Sequence, residues 1–158
     1  IIFLELIMGP TCSIIYESEP LEKNTMYQKP RPFTTSFFNI KELFTSIIQG
    51  LAITAGFLFV YQYAVELEMN EPTVRTMVFL LLISANIFLT LVNRSFFYSI
   101  LTTLTYRNRL VPLMIGITIL LTSVMIWIEP ISVFFEFESL SFTNSMISAG
   151  VGLVTVIW

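Results

Sequence analysis

Long runs of apolar residues alternate with short polar segments along this chain. Four of the runs contain no charged residue and occupy residues 43–64, 76–93, 110–128 and 142–158. A helix needs about 20 apolar residues to cross a hydrocarbon core of about 30 Å. Because lipid offers no hydrogen-bond partners, the backbone polar groups of such a run must pair with one another, as they do in a helix. The pattern therefore predicts four membrane-spanning helices.

A fifth apolar segment, residues 1–16, differs from the others because it contains Glu5 and the dipeptide Gly9-Pro10. Proline lacks a backbone N–H and clashes with the preceding helical turn, so we expect an interrupted helix, the end of a discontinuous span. Residues 17–42 are polar and contain three prolines, which predicts a loop. The predicted fold is all-α, a polytopic transmembrane helical bundle with about five membrane segments.

The basic residues predict an orientation in the membrane. Seven of the eight lie in the connecting segments 17–42 and 94–109, and only Arg75 lies in a segment on the opposite side. An excess of Lys and Arg marks cytoplasmic loops. We therefore expect segments 17–42 and 94–109 in the cytoplasm, and the acidic segments 65–75 and 129–141 outside.

The composition excludes several classes of protein. The 158 residues are 55% hydrophobic and 12% charged, with a mean hydropathy of +0.80, which is unlike a soluble domain. No basic face for nucleic acid is present. The chain has no His and a single Cys, which excludes an internal disulfide, and it shows no phosphate-binding loop and no paired nucleophile and base. It starts without Met and stops inside an apolar run, so we expect a fragment that carries out no bond chemistry alone.

Two pairs of small residues have the spacing that lets membrane helices approach closely. They are Ala52 with Gly56 in the second segment and Ser148 with Gly152 in the last. Such pairs are also common by chance in apolar helices, so close packing and chance placement both stay open.

Glu5 is the one carboxylate placed inside an apolar segment. An ionised group at bilayer depth is costly and usually marks an ion or substrate pathway. The neighbouring Gly9-Pro10 leaves backbone carbonyls without partners, and carboxylate and carbonyl oxygens together suit a hard cation. We interpret Glu5 as a candidate cation ligand. The alternative is that Glu5 is solvated, or paired with a group outside this chain.

Asn86 lies in the middle of the third segment, in the run Leu-Leu-Ile-Ser-Ala-Asn-Ile-Phe-Leu. Its amide oxygen can serve as a neutral cation ligand or as a hydrogen-bond partner between helices. Both interpretations stay open at this stage.

The motifs resemble a known family. The run Leu4–Ser13, followed by Glu17–Pro20 and Met26–Arg31, resembles the sixth transmembrane helix of P-type ATPases and its cytosolic loop, and is closest to bacterial relatives of the calcium pumps. Arg75–Met77 and Asn93–Ser95, at the two ends of the third span, look like the ends of the family's eighth helix. The number, order and orientation of the spans also fit helices six to ten, so the resemblance covers the whole chain.

The resemblance implies roles for particular residues. It places Glu5 at a cation-ligand position held by Asn or Glu in relatives, and Asn86 at one held by Glu in the sarcoplasmic reticulum calcium pump. Met8 falls where that pump has an ion-binding Thr. Gly9, whose backbone is part of the candidate cation path, stands where calcium pumps have an Asp that binds both ions, and this chain contains no Asp.

The resemblance also implies cofactors and partners that lie outside this segment. The parent protein is expected to use ATP and Mg²⁺, to lie in a bacterial inner membrane and to move a cation. Its partners are the lipid bilayer, the upstream membrane helices and the phosphorylation domain of the same protein, which residues 17–42 are expected to contact; no nucleic acid is involved. Two alternatives stay open: a non-transporting membrane scaffold subunit derived from such a pump, and a segment of a secondary transporter.

Overall fold

The computed structural model describes residues 2–18, 40–93 and 110–157, and within these ranges it contains helices and no strand. This confirms the all-α fold class. The helices, in chain order, are α1 (Ile2–Glu17), α2 (Ile40–Glu66), α3 (Glu71–Val92), α4 (Leu110–Trp127), α5 (Glu129–Phe134) and α6 (Phe142–Val154).

Three of these helices are long and apolar enough to cross a membrane. They are α2 from Leu43 to Glu66, α3 and α4. The apolar helix α6 has 13 residues, which is about 20 Å at the usual rise, so it is shorter than the predicted segment 142–158. The chain is an integral membrane protein built as a small helical bundle.

Helix α1 corrects the expectation of a break at Gly9-Pro10. The helix continues from Ile2 to Glu17 with Pro10 inside it. A proline removes only one hydrogen bond of the helix, the bond to the carbonyl four residues earlier, which here is the carbonyl of Leu6. The remaining apolar turns are therefore sufficient to hold the helix on both sides of Pro10.

The short helix α5 was not expected. The acidic segment 129–141 was predicted only as a connection between two spans. In the structure, Pro130 lies in the first turn of α5, where the absence of its N–H costs no helical hydrogen bond. Loop residues follow from Phe135, and Ser141 then caps α6 by accepting a hydrogen bond from the N–H of Asn144 at 3.3 Å.

Helix α3 is the centre of the bundle, since it packs against α1, α2, α4 and α6 and has its largest interface with α6. Four buried side chains join α2 to α3 in an apolar cluster: Val60, Ala64, Met77 and Leu81. Helix α4 packs mainly against α1 and α5.

Gly152 allows α6 to approach α3 closely. A Cβ atom at this position would lie 2.8 Å from the carbonyl oxygen of Leu81 and 3.0 Å from the backbone nitrogen of Ala85. Ser148, one turn earlier, is completely buried. Gly56 on α2 has a similar role, because a Cβ there would clash with the side chain of Thr155. Both glycines of the predicted small-residue pairs therefore mark close packing between helices.

The loop between α5 and α6 is tied to the start of α3. The Thr76 hydroxyl donates to the carbonyl of Pro72 at 2.8 Å and accepts the N–H of Glu138 at 3.0 Å. Thr73 donates to the Glu138 carboxylate at 2.7 Å. Arg75 forms ion pairs with Glu136 and Glu71, and at the surface these contribute little to stability. The hydrogen bonds of the buried Thr76 hydroxyl therefore stabilise the loop more than the surface ion pairs of Arg75 do.

Candidate cation path

The candidate ligands on α1 lie beside its packed face, not within it. Met8 and Ile15 are buried, with 5% and 1% of their surface exposed, and Thr11 is buried between them. Glu5 and Gly9 are exposed and lie one helical turn apart. A Cβ atom built on Gly9 would meet no atom of the described chain within 4 Å. This part of α1 is therefore not covered by the other helices that the structure describes.

Asn86 is half-buried in the middle of α3. Its side-chain nitrogen donates a hydrogen bond to the carbonyl of Leu82 in the same helix at 2.8 Å. It does not bridge to another helix in the described part of the chain, where its side-chain oxygen receives no hydrogen bond either. The amide is thus held in place by its nitrogen, and its oxygen remains available as a ligand.

A polar contact joins α1 to α3 near these residues. The Cys12 sulfur lies 3.0 Å from the Thr90 hydroxyl oxygen. The same hydroxyl donates to the backbone carbonyl of Asn86 at 2.8 Å. Thr90 therefore connects the backbone of Asn86 with the side chain of Cys12 on α1.

The Cys12 to Thr90 contact shows which sides of the two helices face each other. Residues seven positions apart in a helix lie almost on the same face, so Glu5 is on the side of α1 that carries Cys12. Residues four apart also share a face, so Asn86 is on the side of α3 that carries Thr90. Helical periodicity thus puts Glu5 at the exposed edge of the side of α1 that meets α3, and Asn86 on the side of α3 that meets α1; no contact between the two is present in the described residues.

No ready-made metal centre is present in the described ranges. Within them, no group of three or more Cys, Asp or Glu side chains lies close enough together to hold a metal ion. The acidic residues other than Glu5 lie at helix ends or in the connections between helices, for example Glu66, Glu68 and Glu129, and all three are exposed. Any cation site that uses Glu5 and Asn86 therefore needs further oxygen ligands from elsewhere.

Cys12, Tyr16 and Thr90 were not identified from the sequence. Helical spacing could have identified two of them, because Cys12 is one turn from Met8 and Thr90 is one turn from Asn86. A search for polar residues on the same face as the candidate ligands finds both. The pairing between the two helices depends on tertiary structure and has no local signal.

Comparisons with known proteins bear on this arrangement of helices. A search of curated proteins found no match. The sequence does match, over residues 1–158, the family described as the C-terminus of cation-transporting ATPases. The match covers the full length, and it agrees with the resemblance carried by the motifs and with the apolar helices of membrane-spanning length. The chain belongs to this family and is the C-terminal membrane part of a cation-transporting ATPase.

Proposed function

We propose that this segment lines the ion path of an ATP-driven cation pump, with Glu5 and Asn86 as cation ligands. The observation that carries the proposal is the exposure of Glu5, together with the open space at Gly9, on a helix inside a membrane protein. A carboxylate at bilayer depth is not stable against lipid, so it faces protein or a water-filled cavity. The upstream membrane helices of the pump are the natural cover for this face.

The heights of the two ligands along the helices agree with a shared site. With successive spans crossing in alternate directions, α1 and α3 run parallel. Glu5 is then about 10 Å above Cys12, and Asn86 is about 6 Å above Thr90, at 1.5 Å per residue. Since Cys12 and Thr90 are in contact, Glu5 and Asn86 differ in height by about 4 Å. A cation that keeps part of its water shell can contact both side chains across this difference in height.

Pro10 leaves a backbone carbonyl oxygen, that of Leu6, without its helical hydrogen-bond donor. Because proline has no N–H, it cannot donate to the carbonyl of Leu6, which is next to Glu5 in the sequence. A carbonyl without its helical partner can serve as a ligand for a hard cation. The candidate path therefore combines a carboxylate, an amide oxygen and a backbone carbonyl, with Gly9 leaving room beside them and Met8 packed behind.

The proposal extends to parts of the protein outside the described ranges. Segments 17–42 and 94–109 lie in the cytoplasm, and the first of them passes movements of the upstream phosphorylation domain to α1. ATP and Mg²⁺ act on that domain, and the protein lies in a bacterial inner membrane as a relative of the calcium pumps. The basic residues of the two segments and the motif resemblance support this assignment.

The test is cation-dependent ATPase activity of the full-length protein with a panel of cations. Glu5→Gln is expected to raise the cation concentration for half-maximal activity by at least tenfold, because a charged ligand becomes neutral. Glu66→Gln makes the same change at an exposed helix end and is expected to leave activity unchanged. Identical cation dependence for Glu5→Gln and the unaltered protein would remove Glu5 from the ion path.

A non-transporting scaffold derived from such a pump remains the second candidate. The observation in its favour is Gly9, which leaves no carboxylate where calcium pumps have an Asp. ATP hydrolysis by the full-length protein that no cation of the panel stimulates would favour the scaffold. Membership of the cation-transporting ATPase family leaves the secondary-transporter alternative without support.

A further inference from the structure

We propose that Cys12 and Thr90 form a hydrogen-bonded bridge that positions the two candidate ligands relative to each other, and that this bridge tunes the affinity for the transported cation. The inference rests on the proposed function of Glu5 and Asn86. Neither Cys12 nor Thr90 is a ligand in this proposal. Both are positioning residues within the membrane.

The direction of the hydrogen bond follows from counting protons. A Thr hydroxyl has one proton, and that of Thr90 is used on the carbonyl of Asn86 at 2.8 Å. Its oxygen therefore acts as an acceptor toward α1. The Cys12 thiol is the donor over the 3.0 Å separation. Thr90 thus donates one hydrogen bond within α3 and accepts one from α1.

This arrangement links α1 to the backbone of the ligand on α3. The carbonyl of Asn86 receives the Thr90 proton, and the oxygen of Thr90 receives the Cys12 proton. A rotation of α1 about its axis that moves Glu5 also moves Cys12, because the two lie on nearly the same face. The bridge therefore resists a rotation that separates Glu5 from Asn86.

The bridge is also the kind of contact that a membrane interface needs. Helices in lipid gain little from apolar contact with each other, so hydrogen bonds and close packing decide how they associate. Glu5 and Gly9 are exposed, and the polar contact with α3 on this side of α1 lies two turns from Glu5, at Cys12. We therefore expect the loss of this hydrogen bond to change the orientation of α1, and with it the position of Glu5, by a modest amount.

The experiment measures half-saturating cation concentration and maximal ATPase rate in the full-length protein. Cys12→Val, which keeps the volume but lacks a donor, is expected to raise half-saturation about threefold, the size typical of one hydrogen bond between membrane helices. The maximal rate is expected to change by less. Cys12→Ser restores a donor and is expected to recover the affinity. Equal half-saturation in Cys12→Val and the unaltered protein overturns the proposal, and so does a Cys12→Ser variant as impaired as Cys12→Val.

Thr90 variants provide a second test. Thr90→Val removes both the bond from Cys12 and the bond to the carbonyl of Asn86, and is expected to weaken affinity more than Cys12→Val, whereas Thr90→Ser keeps the hydroxyl and the affinity. Because Cys12 acts through Thr90, adding Cys12→Val to Thr90→Val is expected to cause no further loss. Additive losses in the double variant contradict the bridge.

A cross-linking measurement tests the contact without relying on activity. In a full-length background whose only cysteines are Cys12 and one introduced at Thr90→Cys, mild oxidation is expected to form a disulfide within the membrane. The control moves the thiol by one residue, to the exposed side of α1, with Cys12→Ser, Ser13→Cys and Thr90→Cys together. Cross-linking in the control but not in the test pair overturns the contact.

Glu5→Gln, measured in parallel, separates the two proposals. An unchanged cation dependence for Glu5→Gln rejects the ion-path assignment, whatever the Cys12 variants show. A clear effect of Glu5→Gln together with unaltered half-saturation in Cys12→Val rejects only the positioning role of the bridge.

Discussion

Helices α6 and α1 both pack against α3, but they do so in opposite ways. Gly152 brings α6 so close to α3 that no space for a methyl group remains at the crossing. Helix α1 meets α3 through the Cys12 and Thr90 side chains, and its Glu5 and Gly9 remain uncovered. The difference separates two kinds of packing within one bundle: α3 and α6 are in close backbone contact, whereas α1 meets α3 through side chains and leaves Glu5 and Gly9 exposed.

The largest effect on stability is expected from a substitution that pushes α3 and α6 apart where they cross. Gly152→Ala places a methyl group against the backbone at Leu81 and Ala85, and we expect the free energy of unfolding to fall by about 1–3 kcal/mol. Gly150→Ala is the control on the same helix, since a Cβ there meets nothing within 4 Å, and it is expected to stabilise by up to about 1 kcal/mol. Denaturant titration in detergent micelles, followed by circular dichroism, measures both. Equal effects of the two substitutions would show that the crossing is not tightly packed.

A smaller effect is expected where the loop between α5 and α6 is hydrogen-bonded to the start of α3. Thr76→Val keeps the shape of a fully buried residue but removes the acceptor for the N–H of Glu138, at an expected cost of about 1 kcal/mol. Thr54→Val is matched to it, because Thr54 also bonds to the carbonyl four residues earlier but is exposed and has no second hydrogen-bond partner in the described part of the chain. The same titration is expected to show no loss for Thr54→Val. A comparable loss in both variants would place the effect in the helices and not in the loop.

The smallest expected effect lies at the turn after α2. Glu68 has φ 51°, a left-handed conformation, and the N–H groups of Glu68 and Met69 bond back to the carbonyls of Val65 and Ala64. This is the helix ending that favours glycine, so Glu68→Gly is expected to stabilise by about 0.5 kcal/mol. Glu66→Gly, two residues earlier and still helical, is expected to destabilise by about 0.5–1 kcal/mol. Thermal unfolding of the two variants checks the signs, and the same sign for both contradicts the role of the turn.

Hydrophobic length was sufficient to predict the long helices, because the requirement for about 20 apolar residues is a property of the bilayer and not of the fold. The expectation that Gly9-Pro10 interrupts a helix was wrong, and the short helix that begins at Glu129-Pro130 was not predicted. At Pro10 the loss of one hydrogen bond did not outweigh the adjoining turns, and at Pro130 the proline begins a helix instead of ending one. Local sequence rules do not determine whether a helix continues through a proline or begins at it, because tertiary packing also contributes.

The candidate site was predictable in part. Glu5 was identified because a charge in an apolar segment is rare, and its exposure beside the packed face of α1 is compatible with that interpretation. Asn86 gave no comparable signal for choosing between a ligand and a contact between helices. Its hydrogen bond to Leu82, within its own helix, became visible only in the structure. The role of Thr90 depends on its distance to a residue 78 positions earlier, which no local pattern reports.

The uncovered face of α1 also bears on how the protein is made. Synthesis proceeds from the N-terminus, so membrane helices that precede α1 in the pump are inserted first. On the proposed ion-path assignment, those helices provide the surface that covers Glu5, and that surface is in the bilayer before Glu5 enters it. Helices α3 and α6 follow and complete the bundle by fitting Gly152 against Leu81. The proposed assignment therefore implies that Glu5 is covered before the close contact between α3 and α6 forms.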